Sequence, residues 1–327
     1  MNWWLPHNFE KKRHFLEKRG LILKFLRGFF DDREFIEVET PALTVCPSMD
    51  AHIHGFKAED MYLHTSPEFD MKKLLVAGMP RIYQICHVFR KSEVSKLHSP
   101  EFTMLEWYRA GADYNMLMDD CVDILRKVAQ SMAIQKYTHG GISSNPFGEW
   151  QKISVCEAFK QYAGMNLSNY LNDLQGFSKV ANKAGVRVIA SDKWDDIFHA
   201  IMAQKIEPYL GIGVPTILYD YPISMAALSR KKPSDSRFAE RFELYVCGVE
   251  LANAFSELTD AAEQRARYDS EMALKQKLYG ESYPPDEEFF KALEHGMPDS
   301  AGIALGIDRL IMLTTGAEHI NEVLWTN

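Results

Sequence analysis

Ala301-Gly-Ile-Ala-Leu-Gly-Ile-Asp-Arg-Leu310 holds two structural signals in one short stretch. Small and branched residues spaced by Gly302 and Gly306 read as a strand. The Asp308-Arg309 pair then opens an apolar run, Leu310 to Thr315, that reads as a helix. The two bare glycines leave the strand free to take a flat group, and the same small residues equally suit packing in a buried sheet. Arg309 falls in the first turn of the helix, where its guanidinium adds to the positive end of the helix dipole. That combination suits phosphate oxygens.

Two more segments fit the same chemistry. In Glu101-Phe-Thr-Met-Leu-Glu-Trp-Tyr108, a strand period places Phe102, Met104, Glu106 and Tyr108 on one face. A ring, a carboxylate and a phenol on one face suit an amine held against a flat group, although a solvated surface strand would read the same way. The preceding loop starts at Arg90-Lys91-Ser92-Glu93 and ends at His98-Ser99-Pro100, charged enough to wrap a nucleotide with Arg90 on a phosphate. Farther on, Phe242 to Phe255 reads as a hairpin turning at Cys247-Gly248. Val246 then pairs with Val249 and Tyr245 with Glu250, which brings Glu243 and Glu250 diagonally together. Two adjacent carboxylates need solvent, a proton or a cation. Oxygen ligands of this kind favour Mg²⁺ held partly through phosphates.

Around these segments, Asn8 to Phe30 has a helical period and Phe35 to Thr40 alternates as a strand up to Pro41. Arg81 to Arg90 reads as a strand, and Asn115 to Ile134 and Thr259 to Leu278 as helices, the last with Asp260 and Glu263 spaced as a capping box. From about 140 to 215 helical segments alternate with Gly- and Asn-rich loops. Strands at both ends with helices between predict an α+β fold, one antiparallel sheet flanked by helices.

Composition narrows the function. The chain has 327 residues and a net charge of −8, a balance that argues against broad nucleic-acid backbone contact. There is no leader-like segment and no apolar run of membrane length, so a cytoplasmic protein is expected. Five scattered cysteines (Cys46, Cys86, Cys121, Cys156, Cys247) read as reduced core residues. His52 and His54 share a strand face but have no third ligand nearby, and structural roles are expected for them.

These motifs resemble class II aminoacyl-tRNA synthetases, in the lysyl subgroup. Phe35-Ile-Glu-Val-Glu-Thr-Pro41 is similar to motif one, which in that family helps build a dimer. Phe89-Arg90 through Tyr108 is similar to motif two, and Gly302 through Arg309 to motif three. Thr65-Ser-Pro-Glu68 with Lys72-Lys-Leu74, and Asn253-Ala-Phe-Ser-Glu257, are further lysyl-subgroup signatures. The resemblance implies ATP and Mg²⁺, with Arg90 and Arg309 as catalytic phosphate ligands and Glu243 and Glu250 on the metal. It implies an ATP site of Arg90, Lys91, Ser92, Glu93, His98, Ser99, Phe102, Glu250, Leu251, Gly306 and Arg309, with adenine on Phe102. It implies a lysine pocket of Ser66, Pro67, Glu68, Glu106, Tyr108, Asn253, Glu257 and Ala304.

Three departures refine the expectation. The whole chain reads as one catalytic domain, residues 1–327, with an insertion at about 140–215 and no anticodon-binding barrel. Ala304 stands where the lysyl-tRNA synthetases have glycine. The loop is one residue longer than theirs, and Ser99 replaces an asparagine. All three resemble the truncated paralogues that attach β-lysine to a lysine of elongation factor P. A homodimer that forms an aminoacyl-adenylate and passes it to a protein lysine is therefore expected. Efficient tRNA charging is not, and Arg230-Lys231-Lys232 with Arg237 and Arg241 is one candidate for a basic docking patch. A small tRNA-charging enzyme, a non-catalytic regulatory paralogue and an asparagine-synthetase-like ligase are the competing readings. The intact arginines and carboxylates disfavour the second, and the acidic pocket the third.

Overall fold

The computed structural model describes residues 2–226 and 228–326. The first part of the chain forms α1 (Pro6–Asp31), β1 (Ile36–Glu37), β2 (Leu43–Thr44), β3 (Lys57–Ala58), β4 (Met61–Leu63) and α2 (Glu68–Val76). Next come β5 (Arg81–Phe89), β6 (Glu101–Ala110) and α3 (Tyr114–Ser131). The insertion holds β7 (Tyr137–His139), β8 (Ile142–Ser144), β9 (Gln151–Ser154), α4 (Val155–Ala163), α5 (Leu174–Lys183) and α6 (Trp194–Ile201). The last part forms β10 (Thr216–Pro222), β11 (Phe238–Val246), β12 (Val249–Ser256), α7 (Ala261–Tyr279), α8 (Glu287–Gly296), β13 (Ser300–Gly306) and α9 (Ile307–Thr315).

Eight strands make one sheet in the order β1-β5-β6-β13-β12-β11-β10-β9. The inner pairings are antiparallel. Only the edge strands β1 and β9 join in parallel. The strand period sorts the two faces. Leu105 and Trp107 of β6 point into the main core beneath α1, α3 and α9, while Tyr108 packs on the opposite side with α2, α7 and α8. A separate core inside the insertion is built from Phe159, Phe177 and Phe198, and it borrows Leu218, Tyr221 and Tyr245 from β10 and β11.

Two expectations need correcting. The strand expected over Phe35–Thr40 pairs only at Ile36–Glu37, because the Gln84 side chain takes the Thr40 N–H at 3.2 Å just before Pro41. The capping box on α7 is half formed. Asp260 accepts from the Glu263 N–H at 2.9 Å, but the Glu263 carboxylate turns to Lys231 and Arg267 instead.

Candidate active site

Four neighbouring strands lay their cleft-facing side chains in rows. One row runs Glu106 (β6), Ala304 (β13), Asn253 (β12) and Glu243 (β11), each paired with the next. The row beside it runs Tyr108, Gly302, Phe255 and Arg241. A β-bulge makes the first row possible. Tyr245 pairs with Glu250 and Leu244 with Ala252, so Leu251 is the extra residue. In a regular strand Glu250 and Asn253 would point to opposite faces. The bulge turns both to the cleft and sends Leu251, 2 % exposed, into the core. Leu251 can therefore serve an ATP site only through its backbone.

Gly302 is explained by packing. A Cβ there would overlap the Tyr108 ring and approach Glu257 Oε1 to 2.5 Å. The flat group on this strand is the chain's own tyrosine. At Gly306 an added Cβ would meet only the Arg309 stem, at 3.6 Å, so that position stays open.

The row ends in a cavity of about 260 Å³, near the low end of the roughly 300–1,000 Å³ typical of ligand pockets and suited to an amino acid. Ser66, Glu68, Arg90, Glu106, Tyr108, Asn253 and Ala304 line it. Pro67 caps α2, which carries Glu68 and Lys72. Glu106 is 1 % exposed and accepts from Ser66 Oγ at 2.5 Å and from the Tyr108 hydroxyl at 2.9 Å. Burial, then Glu68 nearby, pushes its carboxyl from 4.5 up to about 7. Behind the wall Lys72 Nζ stands 2.5 Å from both Glu68 Oε1 and Glu257 Oε2. Burial pushes Glu257 up to about 8 against the pull of that ammonium.

Arg90, at the cavity's edge, lies 5.3 Å over the Phe102 ring and 3.9 Å from Glu93. Beyond it Arg309 donates to the Glu250 carbonyl at 2.7 Å and to His98 Nε2 at 2.7 Å. Burial and then Arg309 hold His98 below its usual range, which keeps that nitrogen free to accept. The Glu243 oxygens accept from Arg241 at 2.8 Å and Tyr245 at 2.7 Å. The Glu250 side chain opens to the cleft, 42 % exposed, with its Oε2 3.8 Å from Arg309 Nη1. In the connecting loop Lys91 and Ser92 are exposed and Ser99 is half-buried.

Several cleft residues escaped the sequence reading. Arg241, taken there as a surface cation, lies in the cleft, bonded to Glu243, to Asn253 Oδ1 at 3.1 Å and to the Met225 carbonyl at 2.6 Å. Its alternation with Glu243 and Tyr245 was the available signal. The remaining cations of that candidate patch are neutralised too. Arg230 pairs with Glu240, Lys231 with Glu263, Lys232 with Asp220 and Arg237 with Asp235. Asp195 and His199 of α6 line the cavity from the insertion, and only the fold brings them there. Glu207 is pushed up to about 7 by burial and then by Glu243 and Glu250. His52 bonds the Tyr279 hydroxyl and His54 pairs with Glu281. Among the described residues, no group of three or more His, Cys, Asp or Glu side chains is placed to hold a metal ion.

The family described as tRNA synthetases class II (D, K and N) matches residues 2–325. The chain belongs to this family. Relatives named "Elongation factor P--(R)-beta-lysine ligase" are 38 % identical in Vibrio parahaemolyticus, over 98 % of this chain and 97 % of theirs. Those of Vibrio cholerae and Edwardsiella ictaluri are each 39 % identical, over 94 % of this chain and 93 % of theirs. The α+β architecture is thus a class II synthetase catalytic fold. Its motif-two and motif-three strands, β6 and β13, are neighbours in the sheet. The motif-one strand β1 lies at the edge next to β5.

Proposed function

We propose that the chain is a ligase that activates (R)-β-lysine with ATP as an aminoacyl-adenylate and transfers it to a lysine side chain of elongation factor P. The observation that carries the reading is the row Glu106–Ala304–Asn253–Glu243, which joins an acidic amine pocket to a phosphate-handling end. Relatives bearing the ligase name along nearly their whole length support it.

Glu68 and Glu106 would take the substrate's ammonium groups, with Ser66 and Tyr108 fixing Glu106. The substrate carboxylate attacks the α-phosphorus and pyrophosphate leaves. Arg90 and Arg309 would hold the phosphates, and Phe102, under Arg90, would stack the adenine. The neutral amine of the acceptor lysine then attacks the carbonyl and displaces AMP. The residues named contribute position and charge rather than a covalent intermediate. Glu243 and Glu250 fit Mg²⁺. They are two carboxylates on one face, one of them open to the cleft, and phosphate oxygens would complete the shell. When bound, the ion supplies positive charge to the phosphates.

The same reading takes residues 1–327 as one catalytic unit acting as a cytoplasmic homodimer without stable tRNA binding. Exposed Leu21, Ile36, Leu43 and Val45, on and after α1, support a second copy. No helix among the described residues is long and apolar enough to cross a membrane. Intact-mass spectrometry of elongation factor P, after incubation with the protein, ATP and β-lysine, should show one aminoacyl addition. Unmodified elongation factor P beside efficient tRNA charging would overturn the proposal.

A further inference from the structure

Glu106 accepts from the Tyr108 hydroxyl at 2.9 Å, while Glu68 and Glu257 share one ammonium, that of Lys72. Lys72 is 1 % exposed, and its Nζ lies 2.5 Å from Glu68 Oε1 and 2.5 Å from Glu257 Oε2, with the Phe255 ring 5.3 Å away. Glu257 is also 1 % exposed. Neither of its oxygens has a hydrogen-bond partner among the described residues; Oε2 lies against the Lys72 ammonium as an ion pair, and Oε1 faces the gap over Gly302, which lines the cavity. Of the two carboxylates on Lys72, only Glu68 lines the cavity itself. Glu257 is therefore tied to the pocket through Lys72.

We propose that Lys72 is a positioning residue, a built-in cation that holds Glu68 and Glu257 at a fixed spacing behind the amine pocket. Without Lys72, Glu68 and Glu257 would have no cation between them, and they would take up a proton or lose their geometry. The inference rests on the lysine-activation reading above and adds to it a residue that the substrate need not touch.

The test is pyrophosphate exchange by the full chain, with β-lysine, α-lysine and ATP each varied. Loss of one charged partner corresponds to roughly a 100-fold effect, so Lys72→Ala should lower kcat/KM for the lysines on that order. The change should fall mainly in KM for lysine and leave KM for ATP little altered. Propylammonium in the medium should restore activity, propanol should not, and Lys72→Arg should retain most of it. Unchanged lysine KM in folded Lys72→Ala, or equal rescue by propanol, would overturn the proposal. If Lys72→Ala does not fold, the double variant Lys72→Met/Glu257→Gln removes the buried pair together and tolerates burial better. Raised lysine KM in it supports the proposal, and wild-type lysine KM overturns it. A wild-type protein that activates neither lysine would end the parent reading instead.

Discussion

Glu106 lies dry on the cleft floor, and its surroundings make a pH prediction. Its carboxyl rises from 4.5 to about 7, chiefly through burial. A carboxyl raised on folding contributes stability that is fully present below pH 4.5 and is lost as pH rises through about 7, here about 3 kcal/mol. Glu106→Gln keeps the shape and lets the Ser66 and Tyr108 hydroxyls rotate to suit. It should therefore gain stability over the wild type from pH 5 to pH 8 in thermal melts while losing lysine activation. A constant difference across that range would refute the assignment. Next to Glu106 in the row, Ala304 adds one methyl between the acid and Asn253. The ammonium nearer the carboxylate sits about one carbon farther out in β-lysine, so this methyl crowds α-lysine more. Ala304→Gly should move the β-lysine to α-lysine ratio of kcat/KM toward α-lysine, by roughly 10- to 200-fold. An unchanged ratio would leave Ala304 as packing only. Glu106 was readable in the sequence because strand alternation assigns faces, and Ala304 because it stands where the lysyl-tRNA synthetases have glycine. Lys72 was legible as a subgroup signature, and its i,i+4 spacing from Glu68 offers one carboxylate, but nothing in the sequence brings Glu257 to it.

Two adjacent residues at the start of α9 show what an element adds. The sequence reading placed Asp308 and Arg309 together at a phosphate-binding helix start. They face opposite ways. Arg309 reaches His98 and the Glu250 carbonyl on the cleft side. Asp308, 2 % exposed, pairs with Arg19 of α1 and accepts the Thr103 N–H of β6 at 2.7 Å, so it joins two helices to the sheet. Asp308→Ala strands a buried arginine and should cost about 3–5 kcal/mol of stability in chemical unfolding. Arg309→Ala should melt close to wild type yet lose pyrophosphate exchange. Similar stability in the two variants would contradict this division. The hairpin of β11 and β12 teaches the complementary lesson. Its turn and first pairs follow from Cys247-Gly248, but the bulge at Leu251 does not. No glycine or proline stands at Leu251 or next to it to mark the bulge, whose effect is to turn Glu250 and Asn253 to one cleft.

At the level of the whole molecule, the antiparallel sheet was legible because its strands carry period-two faces and sit among recognisable helices. The insertion was not, because its function comes from contacts distant in sequence. Phe198 of α6 stacks on Phe159 at 5.2 Å and on Trp194 at 5.4 Å, and its ring meets Tyr221 of β10 at 6.4 Å. Arg241 lies over that Tyr221 ring at 4.6 Å and holds Glu243 and Asn253. The core of the insertion thus ends on the side chain that links the amine pocket to the candidate metal carboxylates. Removing a buried phenylalanine ring leaves a cavity and costs about 3–5 kcal/mol. In Phe198→Ala that cavity frees Tyr221 to shift, and α6 also carries Asp195 and His199 into the cleft. Phe198→Ala should therefore melt at lower temperature and also raise KM for both lysine and Mg²⁺ in pyrophosphate exchange, measured well below its melting point. Phe198→Leu refills most of the space and should recover much of both properties. Lost stability with unaltered KM values would mean that the insertion is a separate scaffold with no hold on the site.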